Sequence, residues 1–148
     1  MAMQLTRAGE YAVKSLLYLA AQHAEVRVMA SEVATAEKIP VNFVRKILES
    51  LAKTGLVKSF RGAGGGFTLG RPADEISLRH IVEAVEGPLA LNQCLQPHAC
   101  ENLPNCPVSQ VWMEAQHAVE GVLERYSLAD IVRTRTLRQQ AGITRLVE

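Results

Sequence analysis

Apolar residues recur at helical spacing from residue 6 to about residue 23, with Tyr11, Ala12, Leu16, Leu19 and Ala20 on one side and Thr6 placed as the N-cap. After a break over residues 24–29, residues 30–38 read as a short helix with Val33 and Ala34 inward. Ile39-Pro40 interrupts it, because proline lacks the amide and its ring clashes with the preceding turn. A longer helix is expected over residues 41–53, with Val44, Ile47, Leu48 and Leu51 as its apolar stripe and Gly55 at its C-terminal cap. A short helix, a tight turn and a longer helix form the helix-turn-helix pattern. Residues 56–60 and 66–69 then read as two strands around Arg61-Gly62-Ala63-Gly64-Gly65, a turn able to adopt positive φ. A hairpin with a basic tip directly after the second helix is a wing.

Further along, Ser77 should cap a helix running to about residue 86, with Ile81, Val82 and Val85 apolar. Residues 87–107 form an irregular stretch that holds all three cysteines, and a loop of that length needs something to pin it. Pro107 suits the first position of a long amphipathic helix reaching about residue 126 and carrying Val111, Trp112, Ala115, Val119, Val122 and Leu123. Ser127 would cap a last short helix to about residue 134, leaving residues 135–148 as a polar, mobile tail. The expected fold class is mainly α with a small β-hairpin. A winged helix-turn-helix domain would occupy residues 1–75, and the cysteine loop with its long helix residues 76–134.

With 48% apolar residues in 148, the chain can bury a core. It has no apolar run long enough to span a membrane, and its start lacks the pattern of an export signal, so the expected compartment is the cytoplasm. Charge sharpens the picture because it is uneven. The net value is +1, yet residues 41–71 hold six basic side chains against Glu49 alone, whereas residues 76–148 hold six basic against eight acidic ones. A basic module of that kind suits a polyanion, although a solvated charged face has the same composition. On the second helix, Asn42, Arg45 and Lys46 occupy early positions outside the apolar stripe, where asparagine suits adenine and arginine or lysine suits guanine in a major groove. Arg61 at the wing tip suits a narrow minor groove, and Lys58 and Arg71 suit the phosphate backbone. The glycine-rich turn does not end in a GK[ST] sequence and no helix follows it directly, so it is not a nucleotide loop. No catalytic constellation stands at recognisable spacing, and an enzyme is not expected.

The cysteines follow the spacing Cys94-x5-Cys100-x5-Cys106. Zinc sites usually bring their ligands in close pairs, which this spacing does not. Three evenly spaced thiols on a loop can wrap an iron–sulfur cluster, leaving one iron of a cubane without a protein thiolate. A thiol redox switch or a zinc site is the alternative use of the same residues.

The segments MQLTRAGEYAV, LESLAKTGLVKSFRGAGGGFTLGR and SLADIV, together with the three cysteines, resemble the iron–sulfur winged-helix transcriptional regulators of the IscR and NsrR type up to about residue 132. The resemblance implies a homodimer joined by the long helix after the cysteine loop. It also implies binding to palindromic operators in double-stranded DNA, and a 4Fe–4S or 2Fe–2S cluster that senses cluster supply, redox state or nitric oxide. A cousin branch without cysteines senses sulfur status through a partner protein. By position, Cys94, Cys100 and Cys106 would be the cluster ligands. IscR-like members carry a histidine three residues after the last cysteine, where this chain has Ser109. NsrR-like members use a first-helix carboxylate of the other subunit, which matches Glu10 here. Glu10 is therefore the first choice for fourth ligand; as an acid in a first helical turn it would also complement the helix dipole without any metal. His98 and His117 are the remaining candidates. Arg61 matches the minor-groove arginine, whereas Arg45 stands where the IscR type has glutamate, so the operator is not carried over. Operator affinity should fall steeply with salt, with a log–log slope of about 0.9 per phosphate neutralised; a titration from low to physiological salt measures it, and a flat response would exclude the DNA reading.

Overall fold

The computed structural model describes residues 5–142, apart from 97 and 99. Helix α1 (Arg7–Ala20) opens under Thr6, whose hydroxyl accepts from the Gly9 amide. It ends short of residue 23, and beyond its end Gln22 donates its side-chain amide to the Tyr18 carbonyl at 3.4 Å, taking up a terminal acceptor. Helix α2 (Ala30–Glu37) stops at Lys38, which sits in the left-handed region at φ 56°. Helix α3 (Val41–Lys53) has the expected bounds, and its stripe of Val44, Ile47, Leu48 and Leu51 is buried throughout.

Strands β1 (Val57–Phe60) and β2 (Gly66–Leu69) pair antiparallel, with Val57 opposite Leu69 and Phe60 opposite Gly66. Val28, from the segment before α2, bridges Phe67 through two backbone hydrogen bonds of 2.9 and 2.8 Å and adds a short third rung. Helix α4 (Leu78–Glu86) is capped as expected by Ser77, whose hydroxyl accepts from the His80 amide. The following loop contains two short 3-10 turns, Gln93–Leu95 and Leu103–Asn105.

Helix α5 (Ser109–Arg125) begins two residues after Pro107, which is therefore not its first residue. The Cys106 carbonyl accepts from both the amide and the hydroxyl of Ser109, so the start of the helix is set by that local bonding instead. Helix α6 (Leu128–Gln140) extends well into the stretch expected to be a tail. Its start carries a reciprocal cap between Ser127 and Asp130, and beyond residue 134 Arg135 reaches back to Glu37 of α2 at 2.8 Å. Residues 143–148, the end of the proposed mobile tail, lie outside the described residues.

One core holds these elements together. Ala12, Leu16 and Leu19 of α1 share it with the α3 stripe, with Leu56, Val57 and Phe67 of the hairpin region, and with Ile76, Ile81 and Leu128 from the carboxy-terminal half. The starts of α4 and α6 are locked side by side, since Leu78 donates to the Tyr126 carbonyl and Leu128 to that of Ile76. Helix α5 is the exception, because none of its residues is buried. Replacing Leu48, fully buried at the centre of the core, with alanine should cost about 2–5 kcal/mol of stability, read from urea unfolding.

Candidate DNA interface and cysteine loop

The periodicity that buries one face of α3 leaves Asn42, Arg45 and Lys46 exposed on the other. Lys58 is exposed on β1, and Arg61 is exposed where the wing turns. None of the four cations, Arg45, Lys46, Lys58 and Arg61, takes part in the ion pairs found among the described residues, so their charge is available to a ligand. The turn is closed by a hydrogen bond from the Gly65 amide to the Gly62 carbonyl at 3.0 Å, with Gly62 and Gly64 at φ 82° and 72°. Phe43, which the pattern analysis did not single out, is exposed beside Asn42 and packs edge-on against Tyr11 of α1, with ring centroids 6.1 Å apart.

All three cysteines are free thiols and half-buried. Among the described residues, no three His, Cys, Asp or Glu side chains stand close enough to hold a metal ion. The structure therefore supplies the donor chemistry without bringing the donors together. Glu10 is exposed at the start of α1 and meets Lys14 at 3.1 Å, a surface pair of the kind that contributes little. His98 lies in the loop at φ 60°, and His117 is exposed on α5. The Ser109 hydroxyl is occupied by the Cys106 carbonyl at 2.9 Å.

The first residues of the loop are anchored twice, by residues the pattern analysis did not single out. At its root, a Glu86 carboxylate oxygen accepts from the amide and the hydroxyl of Thr6, each at 2.7 Å. The same carboxylate lies against Gly9, where a side chain would displace it. Gln116 of α5 holds the next stretch, donating to the Leu89 carbonyl at 2.9 Å and accepting from the Leu91 amide at 3.1 Å. Arg79 pairs with Glu83 within α4 and ties that helix to α5 through Glu120 and Glu124. Its hydrogen bond to Glu83, reinforced by the charges of all three acids, holds the guanidinium pKa above its ordinary value. Glutamine and glutamate on a polar helix face carry no signal of such pairings, which depend on chain neighbours far apart in sequence.

A helix-turn-helix followed by a hairpin with an unpaired basic tip defines a winged-helix DNA-binding protein. The chain belongs to the Rrf2 family of iron-dependent transcriptional regulators, whose family model matches residues 5–134. It is 30% identical over 130 residues to the HTH-type transcriptional regulator IscR of Serratia proteamaculans, an alignment covering 88% of this chain and 79% of that one. Among solved structures, CymR, the global cysteine regulator of B. subtilis, superposes with a TM-score of 0.74 at 26% identity, covering 90% of this chain and 98% of that one. IscR of T. potens superposes with a TM-score of 0.71 at 25% identity, covering all of this chain and 96% of that one. The protein is thus a DNA-binding transcriptional regulator and not an enzyme. Among the described residues no helix is long and apolar enough to cross a membrane. Replacing Gly9 with alanine should displace the Glu86 carboxylate and free the Thr6 amide; faster hydrogen exchange at Thr6, with the Leu48 region still protected, is the expected result.

Proposed function

We propose that the protein works as a homodimer on palindromic operators, and that an iron–sulfur cluster on Cys94, Cys100 and Cys106, with Glu10 of the partner subunit as fourth ligand, controls its affinity for DNA. The observation that carries this reading is a loop of three free, half-buried thiols anchored both to α1, through Glu86 and Thr6, and to α5, through Gln116. The family's iron dependence and the IscR relatives support it.

The donor set fits the group by its chemistry: three thiols not tied up in disulfides, and a carboxylate held by only one surface lysine. When bound, such a cluster would supply iron–thiolate ligation that responds to iron supply, oxidants or nitric oxide. The chain's own residues do the rest. Glu86 and Gln116 transmit the position of the loop to the first and fifth helices, and α1 packs directly on the recognition helix α3. A change in the loop thereby shifts the population of DNA-competent dimers. Residues 1–75 serve as the reading half and residues 76–134 as the sensing and pairing half.

The dimer face is α5. Val111 is 61% exposed and Trp112 39%, and Val122 on the same side, with Val108 just before the helix, is also uncovered. A row of this kind on a helix without buried residues is what a second copy would cover.

Protein purified without oxygen should be brown, with iron and sulfide in similar amounts; colourless protein containing stoichiometric zinc would overturn the cluster. Triple Cys→Ser protein that still answers iron supply or nitric oxide in cells would move the sensing elsewhere. Trp112→Glu should convert the dimer to a folded monomer in sedimentation experiments and weaken operator binding by about a hundredfold or more, the scale expected when a linked second half-site is lost.

A further inference from the structure

Arg27 lies outside the helix-turn-helix and outside the hairpin, in the segment between α1 and α2. Its guanidinium carbon sits 3.9 Å from the centre of the Phe60 ring, and its Nη1 donates to the Gly64 carbonyl at 2.9 Å. Phe60 is the last residue of β1 and directly precedes Arg61. Gly64 lies on the far side of the same turn. The two contacts therefore bracket Arg61 from both sides. Next to Arg27, Val28 is bonded into the hairpin through Phe67, so the backbone that carries the arginine is fixed to the wing.

We infer that Arg27 is a positioning residue for DNA binding: it staples the wing turn and so presents Arg61 to the minor groove. This rests on the reading that the wing enters DNA. The physical need is clear from the turn itself. Three of the five residues from Arg61 to Gly65 are glycines, which lose more backbone freedom on ordering than any other residue, and an untethered turn would meet that entropy cost at the moment of binding. Arg27 meets it beforehand. Its donor group is aimed at a protein carbonyl and its cationic carbon lies over an aromatic ring, whereas Arg61 has no ion-pair partner among the described residues. One arginine orders the turn and the other is left for the ligand. A lysine at position 27 could still reach the carbonyl, but it would lose the planar stacking that arginine makes.

The test is a double-mutant cycle on the full chain, with operator affinity measured across a salt series. Arg61→Ala should weaken binding by about tenfold or more. Arg27→Ala should weaken it by about three- to tenfold, the scale of one exposed cation–π contact with one hydrogen bond. The double variant should match Arg61→Ala within about twofold, since a turn without its reading residue gains nothing from being ordered. Arg27→Lys should fall between wild type and Arg27→Ala, and neither substitution at position 27 should change the salt slope. In the free protein, amide exchange at Gly65, whose amide closes the turn onto the Gly62 carbonyl, should quicken in Arg27→Ala while the core stays protected. Additive losses, a slope lowered by about 0.9, or unchanged exchange at the turn would each overturn the inference. If Arg61→Ala had no effect, the wing reading itself would fail, and that outcome is separate from any of these.

Discussion

Helix α1 is the element on which the rest of this molecule depends. Its buried side chains Ala12, Leu16 and Leu19 lie in the shared core, and the helix packs against α3 as well as against α4 and α6 from the carboxy-terminal part of the chain. Burying a leucine contributes roughly 1.5–3 kcal/mol, so a helix with two of them at a shared core is firmly held by both halves. A packed interior yields little to small displacements. α1 and α3 are therefore held to each other through that interior.

Polar contacts then decide what can move α1. Thr6 is held by Glu86, the last residue of α4, and the cysteine loop starts immediately afterwards. This arrangement places a carboxylate at the positive end of the α1 dipole and the start of the cysteine loop one residue away. Gln116 supplies the corresponding hold on α5. The Glu37 side chain, only 9% exposed, is reached by Arg135 from α6, so the helix-turn-helix is braced from behind as well. Among the described residues the loop is thus the longest irregular segment, in a frame whose other parts are tied to one another.

Much of the frame was legible from the pattern of residues. The α3 stripe has four apolar positions at strict helical spacing between a proline and a glycine, and punctuation of this kind leaves one register for the helix. The serines at 77 and 127 announced the helices they cap because an N-cap works through neighbours only two or three residues away. Where the pattern misled, the deciding contact was absent from the local chain or competed with it. α1 ended before residue 23, where the Gln22 side chain takes up the Tyr18 carbonyl. The Cys106 carbonyl, rather than Pro107, set the start of α5. The extent of α6 fits a contact with Glu37, almost a hundred residues away in the chain. In the candidate site, the exposed positions Asn42, Arg45, Lys46, Lys58 and Arg61 followed from periodicity, whereas Arg27, Glu86 and Gln116 had no local signal.

The amino-acid order alone determined the helix-turn-helix, the hairpin after it, the concentration of positive charge there and the three thiols on one loop. These depend on short-range periodicity, capping and composition, which operate along the chain. Only the tertiary structure decided that both halves share a core through α1, that α5 keeps its apolar face uncovered, and that an arginine from outside the wing clamps its turn. Those outcomes depend on which distant segments meet. The order of residues encodes such meetings only through the packing of the whole, and no single segment displays them.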